Sequence, residues 1–136
     1  MKGSYILIIE ISQDKEIQIG SLGKIYFEKG FYAYIGSALN GLEQRIERHI
    51  RKDKRFHWHI DFLLKYAKIL EVYYIKSFDK KECEIADKFY SKLPYIKNFG
   101  CSDCRCKSHL FYGELTEIKD LINSINMEEY FFNANT

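Results

Sequence analysis

The chain's hydrophobic pattern opens with an apolar run, SYILIIEI at residues 4–11. It is too short for a stable helix and rich in isoleucine, so it predicts a buried strand. Residues 15–36, KEIQIGSLGKIYFEKGFYAYIG, alternate apolar and polar positions between Gly20, Gly23 and Gly30. That pattern predicts hairpins feeding a strand at 31–36. Asn40-Gly41 closes a turn, and LEQRIERHIR (42–51) has helical spacing. HWHIDFLLKYA (57–67) predicts a second helix and KILEVYYIKSF (68–78) contains a strand. Asp79 can cap a third helix at 80–92, which stops near Pro94. GCSDCRCKSH (100–109) is loop-like, LFYGEL (110–115) is a last strand, and 116–124 is a final short helix. Strands and helices mix without regular alternation, which predicts an α+β fold with a small, mostly antiparallel sheet flanked by helices. One domain over 1–125 and a fraying polar tail over 126–136 complete the expectation.

Helix faces add chemistry. With residues 42–52 on a helix, Leu42, Ile46 and Ile50 share the core stripe. His49, Arg45, Lys52 and Arg48 follow down one flank, while Glu43 and Glu47 fall on the other. A guanidinium at the buried edge is partly desolvated, where a charge-assisted bond to phosphate is stronger than in open water. On the third helix Ala86, Phe89, Tyr90 and Leu93 form the apolar stripe, with Glu82 inside it and Glu84 turned away. An inward carboxylate needs a cation, a metal or donors. The Asp79-Lys80-Lys81-Glu82 run offers another partner, a capping box that returns Glu82 to the backbone.

At 136 residues and 46% hydrophobic, the chain can bury one core. The net charge of +2 is uninformative, but its distribution is not. Six of the cations lie between Arg45 and Arg55 against only Glu47 and Asp53, which suits either a phosphate-rich partner or a solvated face. No apolar stretch reaches membrane-spanning length, and strand-like alternation follows Lys2 where a signal peptide would be apolar. A cytoplasmic protein with no membrane partner is expected.

HWHID (57–61) would align His57, His59 and Asp61 as metal ligands if extended. The helical spacing of Ile60, Leu63, Leu64 and Ala67 instead makes Trp58 and the histidines packing groups, with His57 able to touch phosphate. The four cysteines fall late, at Cys83, Cys101, Cys104 and Cys106, with His109 close by. Three readings stay open: a Zn²⁺ site drawing on Cys83, Cys104, Cys106 and His109, reduced buried thiols, or a disulfide in a hyperthermophile's protein.

Gly3-Ser4-Tyr5 on the first strand, Tyr34-Ile35-Gly36 on a later one, and Arg45 with His49 on the next helix resemble the GIY-YIG nuclease superfamily. Ser4 stands where that pattern has isoleucine. Residues 1–95 follow the module by element order. More narrowly, GSYILIIE, FYAYIGSALNGLEQRIERHIRKDKRFHWHIDFLL and SDCRCKSHLFYGEL resemble a small archaeal and bacterial GIY-YIG-like family of undetermined function. Its members occur alone or attached to endonuclease III-type DNA repair enzymes.

The resemblance implies a three-stranded antiparallel core plus an added hairpin, and a Mg²⁺- or Mn²⁺-dependent endonuclease acting on DNA in repair or at branched structures. It assigns Tyr5, Tyr34, Arg45, His49 and Glu82 to catalysis, with Glu82 holding the metal. Tyr34 or Tyr5 would be the base, Arg45 the phosphate clamp, His49 an orienting group, and Gly36 a sharp turn in the strand. Arg48, Lys52 and His57 would bind nucleic acid. A non-catalytic nucleic-acid-binding module that partners a repair enzyme is the alternative.

Overall fold

The computed structural model describes residues 2–38, 40–77, 81–101 and 106–132. The apolar run forms β1 (Gly3–Ile11), the central strand of a five-stranded antiparallel sheet. A two-stranded hairpin follows, β2 (Lys15–Gln18) and β3 (Lys24–Phe27), joined through a 3₁₀ turn at Gly20–Leu22. Next come β4 (Gly30–Ala38), α1 (Leu42–Ile50), α2 (His59–Leu64), β5 (Lys68–Lys76) and α3 (Glu82–Tyr90). The described chain closes with β6 (Leu110–Gly113), α4 (Leu115–Asn123) and β7 (Glu128–Tyr130), and the sheet order is β6-β4-β1-β5-β7.

β1 explains the architecture. Its odd positions, Tyr5, Leu7, Ile9 and Ile11, face a core shared with α1, α2 and the hairpin. Its even positions Ile6 and Ile8 face a second core built with Ile85, Ala86 and Phe89 of α3 and Ile118 and Ile122 of α4. A strand buried on both faces cannot show polar alternation, which is why the run looks continuous. Each buried aliphatic of this size contributes about 1.5–3 kcal/mol, so β1 anchors both layers.

The expected α+β class with a helix-flanked antiparallel sheet describes the fold, but the three-stranded core does not. Five strands pair, the last of them inside the segment expected to fray. Pairing with an open edge overrides composition there: the Tyr74 hydroxyl donates to Glu128 at 2.8 Å, and the Tyr130 ring lies 6.5 Å from that of Tyr74.

The second helix is shorter than its periodicity suggests. Trp58 is extended, and Asp61 in the first turn accepts the backbone N–H groups of His57 and Trp58 at 2.8 and 2.9 Å. A side chain bonded back to those amides starts the helix at His59 and not before. In α3 the position before the helix is Lys81. The cap expected from Asp79 lies outside the described residues.

On β4, β6 pairs with Phe31–Tyr34, and the Ile35 amide donates to His109 O at 2.9 Å. Gly36 and Ser37 lie on the stretch of β4 beyond β6, beside a large cavity.

Candidate phosphate-binding cavity

A cavity of about 640 Å³ opens at that edge. Tyr5 of β1 and Tyr34, Gly36 and Ser37 of β4 make its floor, and Arg45 of α1 one wall. His57, Trp58 and His59 line it as the chain enters α2, and Glu82 reaches it from the first position of α3. Gly20, Ser21 and Gly100 contribute from connecting loops. Arg45 and Glu82 are the oppositely charged side chains on its described wall.

The aromatic floor is tightly coupled. Tyr5 Oη lies 2.6 Å from His49 Nε2, and the two rings are 5.3 Å apart. Tyr34 sits 6.5 Å from Tyr5 and 6.1 Å from His49. His49 is 2% exposed, and its Nδ1 has no hydrogen-bond partner among the described residues. An orphaned buried N–H is rarer and worse than an unused lone pair. That preference puts the imidazole proton on Nε2, where it donates to the Tyr5 oxygen and leaves the Tyr5 hydroxyl proton for another acceptor.

Burial sets the protonation of these groups. It pushes the Tyr5 phenol well above its ordinary value, against the lowering effect of Arg45. Tyr34 rises by burial too, reinforced by Tyr5 and Glu82. Burial, with Lys54 nearby, takes His49 down to about 3. At neutral pH both phenols keep their protons and His49 is neutral.

Gly36 does not turn the strand. It lies within β4 opposite Tyr5, and a Cβ there would come within 2.5 Å of the Tyr5 ring and hydroxyl. Its missing side chain makes room for Tyr5.

The basic flank divides. Arg45 Nη1 donates to Ser37 O at 3.0 Å, and its guanidinium stacks 4.4 Å from the Trp58 ring. No carboxylate among the described residues forms an ion pair with it. Arg48 and Lys52, expected at nucleic acid, have protein partners. Arg48 donates to both Asp61 oxygens at 2.8 and 3.0 Å and to Arg55 O, and stacks 4.3 Å from Trp58. Lys52 donates to Leu64 O at 3.0 Å and Ala67 O at 3.4 Å. A carbonyl-rich helix end and a buried carboxylate both attract cations. His57 does line the cavity.

Two side chains read as packing, Trp58 and His59, are cavity walls. Trp58 carries both guanidiniums, and the signal for it was an aromatic beside an ordered basic flank. His59 accepts the Gly100 N–H on Nδ1 at 2.9 Å, a partner forty-one residues away that no local pattern announces.

Neither metal expectation survives. Cys83 and Cys106 form a disulfide, so their thiolates cannot join the Zn²⁺ site with His109. Cys104 lies outside the described residues. Those two sulfurs and His109 are the sole group of three or more metal-competent side chains found close together among the described residues. Glu82, the one carboxylate among the described residues of the cavity wall, has His109 Nδ1 at 4.0 Å. The described residues do not build a Mg²⁺ or Mn²⁺ site.

A family model described as domain of unknown function DUF123 matches residues 4–130. The chain belongs to the DUF123 family. That membership replaces the GIY-YIG resemblance and withdraws the GIY-YIG-type enzyme assignment with it. The ground for an endonuclease III-type partner goes too. Neither curated proteins nor solved structures give a match. DUF123 carries no activity in its description, so function has to be argued from the cavity. No helix among the described residues is long and apolar enough to cross a membrane.

Proposed function

We propose that the cavity grips a phosphodiester of a nucleic-acid strand, DNA in the first instance. One observation carries this reading: Arg45 is a guanidinium on a large cavity wall, stacked in place on Trp58, with no carboxylate paired to it among the described residues. Its neighbour Arg48 has the same stacking partner but is neutralised by Asp61. An aromatic platform fixes the planar fork, which lowers the entropy lost when it meets phosphate oxygens. The protonated Tyr5 hydroxyl supplies a neutral donor beside it. Glu82 also lines the cavity, and its negative charge disfavours a doubly charged monoester relative to a singly charged diester.

The test is fluorescence anisotropy with a labelled duplex and single strand of about 20 nucleotides, over about 50–200 mM salt. Charge-assisted bonds contribute about 1.5–3 kcal/mol, so Arg45→Ala is expected to weaken binding roughly 10- to 100-fold. Equal binding by wild type and Arg45→Ala, or no binding by wild type at low salt, contradicts the reading.

A second reading, hydrolysis of the bound diester, is favoured by Glu82, a carboxylate lining the same cavity as Arg45 and able to orient water. Accumulation of nicked strands with wild type and not with Glu82→Gln supports it. Intact strands after prolonged incubation leave the binding role alone.

A further inference from the structure

We infer that His59 is a ligand-binding residue of this cavity, donating its Nε2–H to a phosphate oxygen of the strand that Arg45 holds. The inference rests on the proposed phosphodiester binding and adds a contact from the first residue of α2. A neutral imidazole has one donor and one acceptor nitrogen. Gly100 N–H donates to Nδ1 at 2.9 Å, so Nδ1 is the acceptor and the proton sits on Nε2. The ring is fixed by this bond and by packing against Phe99, 5.7 Å between centroids. His59 lines the cavity together with Arg45 and Tyr5, and no protein acceptor among the described residues takes its Nε2–H. Partial burial lowers its pKa, so the ring stays a neutral donor at physiological pH. A backbone amide that selects one tautomer, in a ring turned to a cavity, is the arrangement that pre-orients a donor for an anion.

The test pairs two substitutions. In His59→Asn the side-chain oxygen can replace Nδ1 and keep the Gly100 bond, but nothing replaces Nε2–H. In His59→Gln the amide extends toward the lost donor. Affinity for the same labelled strands is expected to fall about five- to tenfold in Asn and to recover to within about twofold in Gln, with melting temperatures unchanged. Side-chain ¹⁵N spectra should show the Nε2–H tautomer, with that resonance shifting when the strand is added. Wild type binding while His59→Asn binds equally well, or an Nδ1–H tautomer, overturns the inference but leaves the phosphate reading intact. No strand binding by wild type removes both.

Discussion

Removing the Asp61 carboxylate is the sharpest structural perturbation available. Asp61 is fully buried and receives four hydrogen bonds: two from the Arg48 fork and one each from the His57 and Trp58 amides. Bonds to a charged group contribute about 1.5–3 kcal/mol each, so a simple sum would reach about 6–12 kcal/mol. The four bonds share one carboxylate and cannot add independently. Removing one member of a buried pair costs about 3–5 kcal/mol, of which the helix cap is about 1. We expect Asp61→Ala to lose about 4 kcal/mol, a large share of the 5–15 kcal/mol typical of a domain. Asp61→Asn keeps an acceptor for the amides and should lose less. Urea denaturation at pH 7 reads both. Burial alone would raise the Asp61 pKa, but Arg48 and the two amides outweigh it and hold it below the ordinary value. This stability is therefore present above the unfolded pKa near ~3.9 and is lost as pH falls through the lower folded value. A loss under about 1 kcal/mol in Asp61→Ala would show that the pair behaves as a surface bridge and refute the reasoning.

Other expectations follow from the same geometry. His49 has a folded pKa of about 3, below the unfolded value near ~6.5, so the unfolded chain binds its proton first. Stability should fall by up to roughly 1.4 kcal/mol per pH unit from about 6.5 toward 3, and urea titrations of His49→Gln should show a flatter slope there. Gly36→Ala places a methyl against Tyr5, and overpacking should cost about 1–3 kcal/mol. Loss of the Tyr5 hydroxyl to His49 contact in its spectrum would accompany that cost. Reducing Cys83–Cys106, a 23-residue separation, should lower stability by about 3 kcal/mol, read as a shift in urea midpoint with and without a dithiol. An unchanged midpoint would mean that the crosslink constrains little.

The sheet and helices were legible because their signals are local: β1 is a continuous apolar run, and α1 carries its stripe at helical spacing. β7 was not, since two glutamates and a tyrosine become a strand only when an edge is available. The flank of α1 placed Arg45 and His49 correctly near the buried edge, yet it could not separate Arg45 from Arg48. That distinction belongs to Asp61, thirteen residues along the chain from Arg48. Gly36 looked like a turn residue because glycine usually is one; only the strand register shows that it faces Tyr5. The cysteine spacing permitted a metal site or a disulfide, and bringing Cys83 against Cys106 needed the tertiary fold.

The most direct measurement is a titration of isotope-labelled protein with a short duplex, following the arginine side-chain resonances. The Arg45 Nε signal is expected to shift and saturate with added strand while Arg48, held by Asp61, barely moves. An Arg45 signal that stays still as other cations respond would contradict that expectation.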